Sequence, residues 1–353
     1  MKLSIISFTK NGILLSEKIA KLLDTTEYAL YTKCQSCCKE ELTVQLITQS
    51  IGEWAKEQFE EGNALLFIGA CGIAVRAIAP CITDKLHDSP VLVMDEKGQY
   101  VIPVLSGHMG GANELAVSLA GKTGAAPVLT TATDIHNQFA VDLFAKKNGL
   151  TIVNKDGIAK VSSKVLSGKV VTISVEQERL EQDVILPEGI ELAEYPPLQR
   201  VDVVIAAENE EYEAALLLRP KEYAVGVGCR KGKEAEQIED FIRSHLKRAG
   251  ISSAQIFGMA SIDVKRNEPG LLAWGRKKKI PFVTYTAEEL RRIEGVFHKS
   301  EFVEEQVGVD NVCERAAMKI CGPGGRLIYK KHAEDGMTIA IARREWRVRF
   351  DNE

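Results

Sequence analysis

What the 353-residue chain lacks narrows its class before any motif does. No stretch approaches the roughly 20 consecutive apolar residues that a membrane-crossing helix needs. The apolar opening, MKLSIISF, is cut off at Thr9, Lys10, Asn11 and Gly12, short of the core of a secretion signal. Positive charge is not in excess: 45 Lys and Arg against 49 Asp and Glu leave a formal net charge of −4, which argues against a whole-chain nucleic-acid binder. No internal repeat or low-complexity tract is visible. The chain is therefore expected in the cytoplasm, with neither membrane nor nucleic acid as a partner, while its oligomeric state is not set by the sequence. Eight cysteines without a secretion signal are expected to be reduced thiols. Their one cluster, Cys34, Cys37 and Cys38 in KCQSCCKE, begins with a metal-ligand spacing, yet no second Cys/His pair completes a tetrahedral site. No protein-bound metal is expected.

What is present reads as an ordinary globular protein, 45% hydrophobic and 27% charged, and too long for one compact core. Short apolar runs alternate with helix-like segments, the pattern of an α/β fold with several domains and mostly parallel sheets flanked by helices. In the first third, strands are predicted over 2–8, 64–69, 91–94, 100–105 and 127–130, and helices over 13–23, 53–61, 72–80 and 112–120. Ala112, Leu115, Ala116 and Leu119 give the last helix one apolar face; Gly121 suits its left-handed exit. An N-terminal α/β domain over 1–138, a small middle domain or connection over 139–220 and a C-terminal α/β domain over 221–353 follow. In the last, Ile238, Phe241, Ile242 and Leu246 form a buried stripe that also carries His245. Thr286 and Glu289 have capping-box spacing, and two strands are predicted over 325–330 and 337–342.

Three turns between a predicted strand and helix are rich in small residues: FIGACGIAVRAIAP (67–80), VLSGHMGGANELA (104–116) and VGVGCRKGKEA (225–235). Parallel sheets bring such turns to the carboxyl ends of strands, where ligands bind. Glycine admits close backbone approach and helix starts attract anions, so a polyanionic small molecule is the expected ligand. A nucleotide is poorly supported: Gly226, Gly228 and Gly232 put the third glycine one place too late for G-x-G-x-x-G, and no acidic residue stands where a ribose partner would.

Taken together, FIGACGIAVRAIAP, SGHMGGANELA, VLTTATD, GVGCRKG, SIDVKRNEPGL and YTAEEL resemble the CbiG family, the cobalt-precorrin 5A hydrolases of anaerobic cobalamin biosynthesis. The resemblance covers roughly 60–135 and 222–342 in the family's order. It implies a cobalt-bearing tetrapyrrole as substrate. Its ring A acetate δ-lactone is opened by water and the methylated bridging carbon leaves as acetaldehyde, giving cobalt-precorrin 5B. Cobalt belongs to the substrate, no cofactor of the enzyme's own is implied, and transient contact with other cobalamin-pathway enzymes fits such a role.

Such a reaction needs a base for water and a donor for the developing oxyanion. His108, an ionisable ring in a glycine turn, serves as the candidate base. The N–H groups of Gly110 and Gly111 are the candidate oxyanion or carboxylate donors, with Ser106 and Gly107 in the same turn. Glu114 would orient the imidazole or act as the base itself, and Asn113 would contact substrate or merely cap the helix. Thr131 and Asp134 in TTATD, Arg76 after the first turn, and Gly226, Gly228, Arg230, Lys231 and Asp263 in the last segment are the remaining substrate-binding candidates, with Lys233 and Lys265 beside them. Each has a plainer reading: a hydrogen-bonded turn histidine, a helix-start acid favoured by the dipole, a solvated cation. A non-catalytic carrier of corrinoid intermediates and a nucleotide-dependent α/β enzyme are the competing functions.

Overall fold

The computed structural model describes residues 1–23, 27–35, 44–84, 88–130, 138–181, 183–207 and 212–350. The chain forms two compact units, Met1–Leu143 and Phe144–Glu353.

In the first unit, strands β1 (Leu3–Ser7), β2 (Tyr28–Thr32), β3 (Gln45–Leu46), β4 (Ala64–Ile68), β5 (Val91–Met94), β6 (Tyr100–Leu105) and β7 (Ala126–Pro127) make one sheet in the order β3-β2-β1-β4-β5-β6-β7. Helices α1 (Lys10–Leu22), α2 (Ile51–Glu60), α3 (Cys71–Ile78) and α4 (Ala112–Thr123) cover it. Side chains alternate across a strand, and both sets are apolar here. Ile5, Leu66 and Leu92 face one core with Ile13 and Ile19 of α1 and Ala116 and Leu119 of α4. Ile6, Leu65, Phe67 and Val93 face another with Trp54 of α2 and Ala74 and Ile78 of α3. Burial on both faces is why these strands read as unbroken apolar runs.

The last two strands reverse, β7 running parallel to β6. β5 and β6 pair antiparallel, with Val91 opposite Leu105 and Met94 opposite Val101. The turn after β6 therefore lies at the edge of the sheet where β5 begins, not at the edge where β4 and β5 end.

In the second unit, α5 (Val141–Lys147), whose first three residues belong to the first unit, leads into β8 (Leu150–Ile152), α6 (Asp156–Leu166), β9 (Val171–Val175), β10 (Ile190–Ala193), β11 (Val201–Ile205) and β12 (Ala214–Pro220). These strands form a sheet of their own, ordered β10-β9-β11-β12-β8, with only β8 antiparallel. A third sheet, β15-β14-β13-β17-β16, is built from β13 (Tyr223–Cys229), β14 (Ile256–Ile262), β15 (Phe282–Tyr285), β16 (Arg326–Glu334) and β17 (Met337–Arg343). Its helices are α7 (Ala235–Arg248), α8 (Pro269–Lys278), α9 (Ala287–Arg291), α10 (Glu301–Val307) and α11 (Cys313–Cys321). The stripe Ile238, Phe241, Ile242 and Leu246 is buried on Val225, Val227, Ile339 and Ile341. Ala316 of α11 packs with Ala260 and Ile262 in a separate core.

The α/β class with mostly parallel, helix-flanked sheets is as expected. Four particulars differ. β2 and β3 had no counterpart among the predicted strands. α4 runs past Gly121 and ends at Gly124, whose φ of +81° is the left-handed exit. Cys34 is joined in a disulfide, against the expectation of eight reduced thiols; Cys37 and Cys38 lie outside the described residues. Strand β13 extends through Cys229, so Gly226 and Gly228 stand inside a strand rather than in a turn. Among the described residues no helix is long and apolar enough to cross a membrane.

Candidate functional site

The turn Ser106–Gly111 is shaped by close packing. Ser106 adopts φ +56° and Gly111 φ +87°, the left-handed region that costs a non-glycine residue energy and is tolerated where surroundings enforce it. The Ser106 hydroxyl donates to Asp88 O (2.8 Å). Ala112 N–H donates to Ser106 O and Asn113 N–H to Gly107 O, both 3.1 Å. A Cβ on Gly110 would lie 2.4 Å from Ser106 Cβ, and one on Gly107 would lie 2.8 Å from Asn113 Oδ1. Three glycines and a strained serine thus fold the backbone tightly enough to leave His108 as the ring in the loop.

His108 is nearly enclosed, its side chain 10% exposed, and its Nδ1 lies 3.5 Å from Asp142 Oδ1, a carboxylate that is itself 12% exposed. Asp142 stands in the first turn of α5 and also accepts the Leu143 N–H (3.0 Å). Sequence reasoning missed it, because an acid in a helix's first turn is favoured by the dipole alone and draws no attention.

The other candidates divide. Ser106, Gly107, His108, Gly110, Gly111 and Asn113 are brought together by the turn. Glu114 is exposed in the first turn of α4, and the carboxylate that lies 3.5 Å from the imidazole Nδ1 is that of Asp142. Asn113 is buried against Gly107; the helix's N-cap is Gly111. Gly111 N–H is engaged by His108 O (3.2 Å), so it is not turned to an oxyanion as expected. Arg76 is exposed and its guanidinium bends back to Gly72 O (3.1 Å), at the start of α3 and so at the opposite edge of the sheet. Thr131 and Asp134 lie outside the described residues, as do His87 and His136.

In the second unit the glycines have packing reasons. A Cβ on Gly226 would come 1.8 Å from Cys313 O, so Gly226 is what lets α11 lie on β13. A Cβ on Gly228 would reach Thr338 Oγ1 at 2.6 Å. The nucleotide reading thereby loses the first two glycines of its phosphate turn. Beyond Cys229 the turn is pinned twice: Arg230 N–H donates to Gly336 O (2.9 Å) and Gly232 N–H to Glu268 Oε1 (2.8 Å). Burial works to raise the Glu268 carboxyl, but the Gly232 N–H and the Lys265 ammonium, 3.1 Å away, outweigh it and hold it below the usual carboxylate range.

Where β13 and β14 end, a cleft of about 450 Å³ opens, with Ile262, Val264 and Val307 as apolar wall and Arg230, Lys265 and Lys331 as cations. Gly228 lines it; Lys231 is exposed on the turn and Asp263 half-buried at the end of β14. Cys229 and Cys313 line it too. Burial pushes both thiols up, Cys313 to about 12, so neither is a ready thiolate at neutral pH. Among the described residues no three His, Cys, Asp or Glu side chains gather closely enough to hold a metal ion.

The fold and these two sites define a multi-sheet α/β protein with a glycine-turn histidine beside a helix carboxylate and an amphipathic cleft lined by three cations and the acids Glu334 and Asp335. Comparison with known proteins narrows that class. A family model described as Cobalamin synthesis G N-terminal matches residues 53–134, and one described as Cobalamin synthesis G C-terminus matches 223–342. Cobalt-precorrin-5A hydrolases of Priestia megaterium and Salmonella typhimurium are each 31% identical to this chain over 96% of its length and 94% and 97% of theirs. A solved cobalamin biosynthesis protein G homolog from Sulfolobus solfataricus is similar over 97% of both chains at 22% identity, with a TM-score of 0.40. The chain belongs to the cobalamin synthesis G (CbiG) family.

Proposed function

We propose that this chain is a cobalt-precorrin-5A hydrolase of anaerobic cobalamin (vitamin B12) biosynthesis, working on a carbon–carbon bond in the cytoplasm. The carrying observation is its 31% identity, over nearly its whole length, to hydrolases of that name; the enclosed His108 supplies a group suited to the chemistry.

His108 takes a proton from water as the oxygen attacks the lactone carbonyl. The ester C–O bond breaks, leaving a ring A acetate and a hydroxyl on the methylated bridging carbon. Deprotonation of that hydroxyl lets its oxygen form a carbonyl while the C–C bond to the macrocycle breaks. Acetaldehyde departs, and the electron pair left on the macrocycle takes up a proton. Water is the only co-reactant, so no cofactor is needed and the cobalt is the substrate's. Imidazole suits both steps because its ordinary pKa lies near neutrality. Within the second unit, Arg230, Lys265 and Lys331 beside an apolar wall offer a surface of their own suited to a ligand that carries carboxylates. The enzymes that make and consume the intermediate are the partners to expect.

Acetaldehyde release from cobalt-precorrin 5A, measured beside substrate binding, tests this. Wild type releases it; His108→Ala binds but is slowed roughly 100-fold or more, the scale of a lost acid/base group. Binding without release by wild type would replace the hydrolase with a carrier.

A further inference from the structure

We infer that Asp142 is the positioning residue of the His108 site. Its carboxylate accepts the Nδ1–H of the imidazole, holds the ring in the tautomer whose Nε2 carries the lone pair, and stabilises the imidazolium formed when Nε2 takes a proton. The proton stays on the imidazole throughout.

Four observations converge on it. His108 Nδ1 and Asp142 Oδ1 are 3.5 Å apart, a few tenths of an ångström beyond a formed hydrogen bond and of the kind that tightens when substrate is bound. Both side chains are about nine-tenths enclosed, so their attraction is weakly screened by water. Among the described residues, Asp88 is engaged elsewhere and Glu114 is less enclosed than Asp142. Asp88 Oδ1 accepts the N–H and hydroxyl of Thr83 (2.8 Å each) and the N–H of Asp84 (3.2 Å), and Glu114 is exposed. The imidazole itself has little freedom, since the turn carrying it is closed by the Ser106 hydroxyl on Asp88 O and by the Gly110–Ser106 approach. On a ring so held, a carboxylate beside Nδ1 favours the tautomer that keeps the proton on that nitrogen.

The kinetic half of this inference rests on the hydrolase reading; the tautomer does not, and can be read without substrate. The nitrogen-15 shifts of His108 would be recorded for wild type, Asp142→Asn and Asp142→Glu above the imidazole's titration, with kcat, KM and the pH profile of acetaldehyde release on the same proteins. Wild type is expected to carry its proton on Nδ1. In Asp142→Asn the amide donates to Nδ1 instead and moves the proton to Nε2. Its kcat drops about 10²- to 10⁴-fold with KM nearly unchanged, and the acid limb of kcat moves to lower pH because the imidazolium has lost its anion. Asp142→Glu restores the Nδ1 tautomer and part of kcat, which a merely structural role would not produce. An Nε2 tautomer in wild type, or an unaltered tautomer and kcat in Asp142→Asn, would overturn the inference. An Nδ1 tautomer that switches in Asp142→Asn, in a wild type that releases no acetaldehyde, supports the pairing and sinks the hydrolase reading instead.

Discussion

His245 is the histidine whose surroundings oppose its charge. Its side chain is 1% exposed, its Nδ1 lies 2.9 Å from the Tyr329 hydroxyl, and its Nε2 is buried without a hydrogen-bond partner, 3.8 Å from Glu334. Burial depresses its pKa below the ordinary 6.5; Arg248 and the His332 ring, 5.5 Å away, add to that, and Glu334 only partly offsets them. Phe241, the remaining ring against it, brings no charge. The unfolded chain protonates this imidazole near pH 6.5 while the folded one resists, so the unfolded state binds more protons as pH falls and stability is lost with it. The carboxylates held below their usual range, such as Glu268 and Asp310, lose their contribution only at lower pH still. Urea unfolding from pH 7.5 to 5 is expected to show stability falling below pH 6.5 in wild type and a flatter profile in His245→Asn. Parallel profiles would mean that another group carries the acid sensitivity. His245 was legible as a core residue from its place on the α7 stripe. Asp142 was not, because its meaning comes from a turn more than thirty residues away.

Elements were legible where burial imposes a pattern and misread where geometry alone decides. The α4 stripe marks the helix and composition points to an exit at Gly121, but the chain leaves at Gly124. Gly121 is an ordinary helical position with open space around its missing Cβ, whereas Gly124 sits at φ +81°. Two substitutions separate them. Gly121→Ala is expected to stabilise by about 0.5–1 kcal/mol through helix propensity, and Gly124→Ala to destabilise by about 1–2 kcal/mol because alanine must enter the left-handed region. Equal effects in denaturant titrations would contradict this placement. The reversal of β6 has a signal in the sequence. Only Asp95–Gln99 separates β5 from β6, too short for the dozen or more residues of a parallel crossover. Asp95 closes the hairpin by accepting the N–H groups of Lys97, Gln99 and Tyr100 (2.7–2.8 Å). Counting that loop would have placed the His108 turn at the opposite edge of the sheet from the glycines that follow β4. Gly226 was misassigned for a different reason: a glycine admitting a helix backbone and one admitting a ligand look alike in sequence.

At the scale of the whole molecule, the two sheets of the second unit are tied by the end of the chain. Past β17 the segment REWRVRF alternates, and Trp346, Val348 and Phe350 are all buried. Asn148 brackets it: its side-chain amide donates to Arg349 O (2.8 Å) and its carbonyl oxygen accepts Arg349 N–H (2.7 Å), while Trp346 Nε1–H donates to Asn148 O (2.8 Å). Val348 bridges to Leu180, its N–H on Arg179 O, and Phe350 lies 5.0 Å from the Phe144 ring. Each apolar side chain is worth roughly 1.5–3 kcal/mol when buried, an upper estimate for a segment that keeps some structure when unfolded. Losing all three removes several kcal/mol from a unit whose total stability is of the order of 10 kcal/mol, and leaves both polar groups of the Asn148 side chain without these partners. The residues affected belong to the middle sheet and its entrance, while β13 to β17 keep their own core. A chain ending at Arg343 is therefore expected to lose single-step unfolding: the 144–220 region melts first and becomes open to limited proteolysis around 176–200, while the 223–343 region persists to higher denaturant. Trp346→Ala, which keeps the backbone bracket, is expected to cost about 3–5 kcal/mol and to shift the same early transition. If the truncated chain still unfolds in one step at an unchanged midpoint, the tail is an ornament and the two sheets are held by something else.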